Sequence, residues 1–393
     1  MDRPGTKALL RKIFDAAVAA AHPASCLPPA LPAAPAAGRI IVLAAGKAAG
    51  SMSEVAEAHY LGRGFPPARL EGIAITRHGY GRPTRKIEMV EAGHPLPDAA
   101  GLQATERVLA LAQSAKEDDL VLVLLSGGAS ANWIAPVPGV SLDDKRALTR
   151  ALLASGADIR EINSVRKHLS RIKGGRLAAL AARAQVLALA ISDVPGDDPT
   201  VIGSGPTVSD PSTLADAEAI LRRRNVEIAP AIARALREGD NETSKPGAAV
   251  FARTQYRIVA RPADALAAAA RAARDEGLIS IILGDRIEGE AREVARDHAR
   301  QALALVGKGR RTLLLSGGEL TVILRGKGRG GPNQEYALAL ALALDGAANI
   351  AAIAGDTDGT DGGVGRPDDP AGAFIDATTL SRARALGLDA ARF

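Results

Sequence analysis

Three short apolar runs, Arg39–Ala45 (RIIVLAA), Asp119–Leu125 (DLVLVLL) and Val186–Ile191 (VLALAI), each stop at a turn rich in glycine, serine or aspartate. Runs of this length bounded by turn signals read as buried strands. Helical patterns alternate with them, so an α/β protein is expected. In open α/β sheets, ligands bind beyond the carboxyl ends of the strands. The turns after the runs are therefore the places to look for chemistry.

The first run leads into Gly46-Lys47-Ala48-Ala49-Gly50 and a helix through about Tyr60. A lysine at a helix start opposes the helix dipole by about 0.3–1 kcal/mol. It makes sense there if an anion binds, with free N–H groups and Lys47 acting together. A surface lysine bending into water is the plainer alternative. The second run ends in Ser126-Gly127-Gly128-Ala129-Ser130, and the phrase LLSGG returns at Ser316-Gly317-Gly318-Glu319. Bare amides and a hydroxyl suit an anion, and two copies in different halves suggest a ligand held between two sheets. The third run opens Ile191–Asp210 (ISDVPGDDPTVIGSGPTVSD), whose length favours a functional loop, with a turn-rich connection whose aspartates cap and turn the chain as the plainer alternative. Asp193, Asp197 and Asp198 offer hard oxygen ligands for Mg²⁺. Gly203-Ser204-Gly205 lets a backbone approach a phosphate.

Between these features, Asn163–Ala182 reads as one helix with Asn163 as N-cap. Its Arg166, Lys167, His168, Arg171, Lys173 and Arg176 read mainly as a solvated basic face, with one or two touching ligand. His94, before Pro95, is read as packing its turn, with a substrate-facing role as the alternative. Ala24–Gly38 looks like an Ala/Pro linker, and Arg237–Gly247 like a domain boundary. Beyond it come a second set of strands and helices and the loop Gly326–Gly331 with Lys327 and Arg329. This is a literal G-x-G-x-x-G, so it must be weighed as a dinucleotide turn. Its cations, with Arg325 just before, suit a phosphate clamp better. Asn333 and Glu335 open the next helix. Asp356, Asp358 and Asp361 follow the last core strand as further hydroxyl or metal ligands.

Composition narrows the function. Aromatics are 3% of 393 residues, too few for the stacking that single-stranded nucleic acid needs, so the net charge of +5 is read as suiting anionic small molecules. One cysteine, Cys26, excludes an internal disulfide, and the histidines lack zinc spacing. No apolar run is long enough to span a membrane and the N-terminal stretch lacks a signal-peptide core, so a cytoplasmic protein is expected. The residues add up to two α/β domains facing a cleft: a phosphotransferase on a small acid, without a Walker A pattern.

The segments AAGKAAGSM, LLSGGASA, NSVRKHLSRIKGGRLA, SDVPGDDPTVIGSGPTVSDP, SGGELTV, GRGGPNQEYAL and AGDTDGTDG, in this order, resemble the class II (MOFRL) glycerate 2-kinases. Some members of that family are labelled hydroxypyruvate reductase. The resemblance implies a larger Rossmann-like domain with a mostly parallel sheet, expected over 1–240, and a smaller α/β domain over 248–375. Residues 376–393 are expected to pack back on the larger one, with the active site between the two. It implies ATP, Mg²⁺ and D-glycerate as ligands; from composition, no nucleic acid or membrane partner is expected, and a homodimer is the candidate assembly. Lys47 and Arg325 fall on the family's important lysine and arginine. Such proteins usually continue past the point where this sequence stops, at Phe393, with a Gly/Thr/Asn-rich segment. The mechanism expected has glycerate's carboxylate on Ser126–Ser130 with Lys47, Mg²⁺ near Asp193, Asp198 or Asp356, and Arg325 on the moving phosphoryl group. Asp193 or Asp356 takes the C2 hydroxyl proton. The rival is an NAD(P)H-dependent hydroxypyruvate reductase using Gly326–Gly331 as its dinucleotide turn.

Overall fold

The computed structural model describes residues 3–324, 328–362 and 368–392. Its contacts divide the chain into two units, Pro23–Val259 and a second made of Met1–His22 with Ala260–Phe393.

The first unit is built on six strands: β1 (Ile40–Ala45), β2 (Leu70–Arg77), β3 (Ile87–Ala92), β4 (Leu120–Leu125), β5 (Gln185–Ile191) and β6 (Thr254–Ala260). They lie in the order β3-β2-β1-β4-β5-β6, the doubly wound arrangement of Rossmann folds. β1 pairs parallel with β2 and β4, and β2–β3 and β4–β5 are parallel too. Every residue of β1 and β4 is buried, because helices cover both faces. Side chains alternate across the sheet. Ile41, Leu43 and Ala45 pack with Val108, Trp133 and Leu177, while Ile40, Val42 and Ala44 pack with Met52, Ala56 and Tyr60. A third cluster joins helices Leu142–Ala154, Ile159–His168, Leu214–Arg223 and Pro230–Arg237.

Two sequence expectations about the first unit change here. The Ala/Pro segment is not a free linker. Leu27 is fully buried against the Met52–Tyr60 face, and carbonyls of Pro35, Ala36 and Gly38 accept from Arg69. A proline-rich strand leaves carbonyls open, and one guanidinium fork satisfies several. Residues 237–247 are not a boundary either. Asn241 and Thr243 are buried, and the Ser244 amide donates to the Gly174 carbonyl. The chain then adds β6 beside β5, with the Val186 amide bonded to the Arg253 carbonyl. The change of unit falls at Val259–Ala260.

The second unit begins with helix Arg3–Ala21, assigned by sequence to the larger domain. Its Ile13 and Ala17 pack on Ala269 and Ala273 of helix Pro262–Asp275. β7 (Ile279–Glu290) and β8 (Thr312–Thr321) pair parallel with register shifts. β9 (Ala351–Gly355) and β10 (Gly372–Asp376) pair antiparallel. Leu380 and Ala390 pack in the cluster of helix Pro332–Leu344, so 376–393 belongs with this unit and not with the larger one. Among the described residues no helix is long and apolar enough to cross a membrane.

One ionisable tie carries a pH dependence. Glu242 accepts from the Leu214 amide (3.1 Å), the Thr243 amide (3.0 Å) and His168 Nε2 (2.9 Å). Burial pushes this carboxyl up, yet Lys245, the two amides and His168 hold it down to about 2. A carboxyl lowered by folding stabilises the protein above its unfolded value and stops doing so as pH falls toward its folded value. In urea unfolding, the stability advantage of wild type over Glu242→Gln is therefore expected to be full at pH 7 and to shrink between about pH 4.5 and 2. A gap unchanged across that window would show the carboxylate to be unstrengthened by its partners.

Candidate active site

The order of the sheet reverses between β1 and β4, and the carboxyl ends of strands at such a switch point are where open α/β sheets bind ligands. Two loops meet there. The Lys47 amide donates to the Gly127 carbonyl (2.8 Å), and the Ala48 amide to Ser126 Oγ (3.0 Å). Gly46 has φ +116°, and a Cβ on it would run into Ser126. Helix Ala49–Leu61 then starts without a side-chain cap. The Ala49 amide donates to the Gly46 carbonyl (3.1 Å), and no carboxylate fills this helix start, which leaves Lys47 beside a positive dipole end that suits an anion.

The loop after β4 is bare for a reason that geometry makes plain. A Cβ on Gly127 would overlap the Asp193 carboxylate, which arrives from the end of β5. A Cβ on Gly128, at φ +85°, would lie 2.7 Å from His94 Cδ2, 2.8 Å from His94 Nε2 and 3.4 Å from Lys47 Cγ. Three strands thus deliver a cation, a carboxylate and an imidazole onto one glycine pair. The sequence-derived residues Lys47, Ser126, Gly127, Gly128 and Asp193 are brought together. His94 joins them.

A few residues further on, Ser130 Oγ bonds Ser204 Oγ (2.8 Å), which donates to Asn163 Oδ1 (3.4 Å). Ser204 sits at φ +62° between Gly203 (φ +60°) and Gly205 (φ +62°). A left-handed serine costs about 1–2 kcal/mol, so something must hold it. Amides of Gly174 and Gly175 donate to the carbonyls of Ser204 and Gly205. Asn163 is not an N-cap: Asp158 caps helix Ile159–His168 through a capping box, leaving Asn163 mid-helix, buried and facing Ser204.

The basic run is not a solvated face. Arg166 Nη2 (3.3 Å) and Lys173 Nζ (2.8 Å) both donate to the Ser130 carbonyl. Lys145 Nζ donates to the Leu169 carbonyl (2.8 Å). Burial, then Arg166 and Lys145, push the Lys173 ammonium well below its ordinary range. Burial, then Arg166 and Arg176, bring Lys145 down to about 7. Lys167 turns the other way, to a buried ion pair with Asp210 (3.3 Å). The expected long helix ends at His168. The chain then bridges Pro136 at Ser170, and left-handed Gly174-Gly175 leads into a separate short helix, Arg176–Leu180.

The remaining expectations divide. Asp198 accepts the Thr200 amide (2.8 Å), a turn contact. In the second unit Ser316, Gly317, Gly318 and Glu319 lie within β8 and not beyond its end. Gly318 packs on the Ile287 backbone, where no Cβ fits. Asp361 accepts the amides of Asn333 (2.9 Å) and Gln334 (2.8 Å) and so fills the start of helix Pro332–Leu344. Glu335 pairs with Arg292, and Asp356 accepts the Asp358 amide (2.6 Å). Arg325 and Lys327 lie outside the described residues. Among the described residues no group of three or more His, Cys, Asp or Glu is placed to hold a metal ion.

Comparison with known proteins agrees with this layout. A family described as a domain of unknown function (DUF4147) matches residues 9–237, and the MOFRL family matches residues 312–393. A protein of Agrobacterium vitis with the provisional name hydroxypyruvate reductase is 49% identical over 97% of this chain and 85% of its own length. The D-glycerate 2-kinase of Thermotoga maritima is 38% identical over 89% of this chain and 82% of its own. The crystal structure of glycerate kinase from Thermotoga maritima superimposes with a TM-score of 0.83 at 36% identity, covering 99% of this chain and 91% of that one. By these matches, which span both units, the chain belongs to the glycerate 2-kinase family that carries the MOFRL domain.

Proposed function

We propose that this protein transfers the γ-phosphoryl group of ATP to the C2 hydroxyl of D-glycerate, giving 2-phosphoglycerate and ADP. The observation that carries the reading is the meeting of Lys47, the uncapped helix start and Asp193 at Gly127–Gly128. Phosphoryl transfer asks a protein mainly for positioning and charge stabilisation. The loop Ser126–Ser130 holds the acceptor's carboxylate together with the Lys47 side chain. Arg325 meets the negative charge of the moving phosphoryl group. The acceptor oxygen bonds to the γ-phosphorus as the bond to the β–γ bridging oxygen breaks, and that electron pair leaves on ADP.

Mg²⁺ fits this donor set as an ion carried by the nucleotide. It keeps several waters and needs one or two carboxylates beside phosphate oxygens. Asp193, seated against bare Gly127, is the residue to hold it, and Asp198 and Asp356 are occupied by turn amides. When bound, the ion neutralises charge on the β- and γ-oxygens. The reading places the enzyme in the cytoplasm, in line with a single cysteine.

The reductase reading rests on the name of the Agrobacterium relative and on Gly326–Gly331. A dinucleotide turn presents its pyrophosphate to a helix start. The start that follows this glycine run is filled by Asp361, whose charge repels phosphate.

Incubation with ATP, Mg²⁺ and D-glycerate is expected to release ADP and to give the phosphorus resonance of 2-phosphoglycerate. NAD(P)H oxidation with hydroxypyruvate in the absence of ADP release would overturn the proposal. Lys47→Ala is expected to lower kcat by about 10²–10³. Gly127→Ala forces the Asp193 carboxylate aside, and a displacement of about 1 Å is expected to cost about 10²-fold in kcat with the melting temperature retained. Near-normal turnover in either variant would remove that residue from the site.

A further inference from the structure

The hydroxyl proton of the acceptor still needs a destination. Asp193 and Asp356 are the carboxylates that the sequence suggests. Asp356 is engaged by the Asp358 amide (2.6 Å). Asp193 is the residue to hold the ion, and a carboxylate beside a divalent cation is a poor proton acceptor.

His94 is held more firmly than a packing residue requires. The Gly93 peptide before it is tied on both sides. Its carbonyl accepts from Asn132 Nδ2 (3.4 Å), and Asn132 is fully buried. Its amide donates to Asp98. Burial pushes the Asp98 carboxyl up, but bonds from the Gly101 amide, the His78 ring and the Gly93 amide leave it below the ordinary carboxylate range. Asp98 also caps helix Ala99–Gln113 through the Gly101 amide (2.9 Å). Gly93 itself has no room for a Cβ, which would meet the Leu96 carbonyl. The loop is thereby fixed to a rigid helix end, and the imidazole edge carrying Nε2 is the part that overhangs Gly128.

Charged groups from three elements gather around that edge. Lys47 comes from the β1 loop, with its Cγ near the same point above Gly128. Asp193 comes from the β5 loop, against the neighbouring Gly127. Asp98 and His78 lie behind Gly93, bonded to each other (2.9 Å). An unprotonated imidazole is a good acceptor for an alcohol proton near neutral pH.

We infer that His94 is a catalytic residue of the proposed transfer: its Nε2 takes the proton of the C2 hydroxyl as that oxygen bonds to the γ-phosphorus. This inference rests on the kinase reading. The bond to the bridging oxygen breaks, its electron pair goes to ADP, and the proton passes from imidazolium to water after product leaves.

The test uses the full chain in two arms. In the first, kcat for glycerate-dependent ADP release is measured against pH for wild type, His94→Gln and His94→Ala. His94→Gln is expected to lose about 10²–10⁴ in kcat and the acid limb of the profile, with KM for ATP nearly unchanged. Imidazole in the buffer is expected to restore turnover to His94→Ala. In the second arm, wild-type protein is labelled with diethyl pyrocarbonate and His94 is followed by mass spectrometry. D-Glycerate with a non-hydrolysable ATP analogue is expected to protect it. Wild-type turnover in His94→Gln with the acid limb intact, or labelling indifferent to ligands, overturns the role of His94 alone. Wild-type protein that releases no ADP with glycerate overturns the kinase reading, and this role with it. A variant that does not fold leaves the labelling arm to decide.

Discussion

The hydrogen bond from the Lys47 amide to the Gly127 carbonyl joins the two loops on which the rest of the site depends. It exists because β1 is the strand at which the sheet changes direction. From β1 the chain winds out through β2 and β3, and it returns to β4 on the other side. Only at such a point do the loops of two adjacent strands diverge and leave space between them. The glycines follow from this. Gly46, Gly127 and Gly128 stand where two backbones approach and where side chains from β5 and β3 come down on them. A site made this way is rigid. Its two joined loops, after β1 and β4, start from strands with every residue buried.

Beneath that surface the fold accepts a cost. Lys173, Lys145 and Arg166 are cations drawn out of water close to one another, and their described bonds go to backbone carbonyls. Burying an unpaired charge costs several kcal/mol even after relaxation. Burial depresses both lysines, so each gives up charge readily. An anion near Ser130 reverses that tendency, since an opposite charge favours the ammonium form. The region is then less a store of stability than a source of positive potential that a bound carboxylate or phosphate completes. By contrast, Lys167 with Asp210 is neutralised from within and adds nothing to that potential.

Much of this was legible in the sequence because short apolar runs and the turns after them report directly on a parallel sheet. Lys47, Ser126–Ser130 and Asp193 follow such runs. Other features depend on contacts that no local pattern carries. Asn163 has the composition of a cap, yet Asp158 with Glu161 makes the better capping box five residues earlier. The cations after it have the spacing of a surface stripe, and nothing local shows that the helix ends at His168 and the chain then bridges Pro136 at Ser170. A strand's apolar pattern does not say which sheet it joins, so β6 read as part of the second unit. His94 beside Pro95 read as a packing residue because its neighbour across space, Gly128, is thirty-four residues away in sequence.

The two LLSGG phrases and the two glycine runs before helices show how the same letters acquire opposite meanings. After β4 the Ser-Gly-Gly phrase leaves the sheet, and Asp193 and His94 come down on its two glycines. In β8 it stays inside the ladder, where Gly318 admits the Ile287 backbone and Ser316 continues the pairing. Likewise, helix Ala49–Leu61 opens without a side-chain cap beside a lysine, whereas helix Pro332–Leu344 opens on the Asp361 carboxylate. A helix start attracts an anion only if its N–H groups are unclaimed. The G-x-G-x-x-G letters therefore precede a start already satisfied by the chain itself. The less familiar Gly46-Lys47-Ala48-Ala49-Gly50 precedes one that no carboxylate fills. What a glycine-rich turn can bind is decided by which carboxylate the fold brings to it, and that is a property of topology before it is a property of motif.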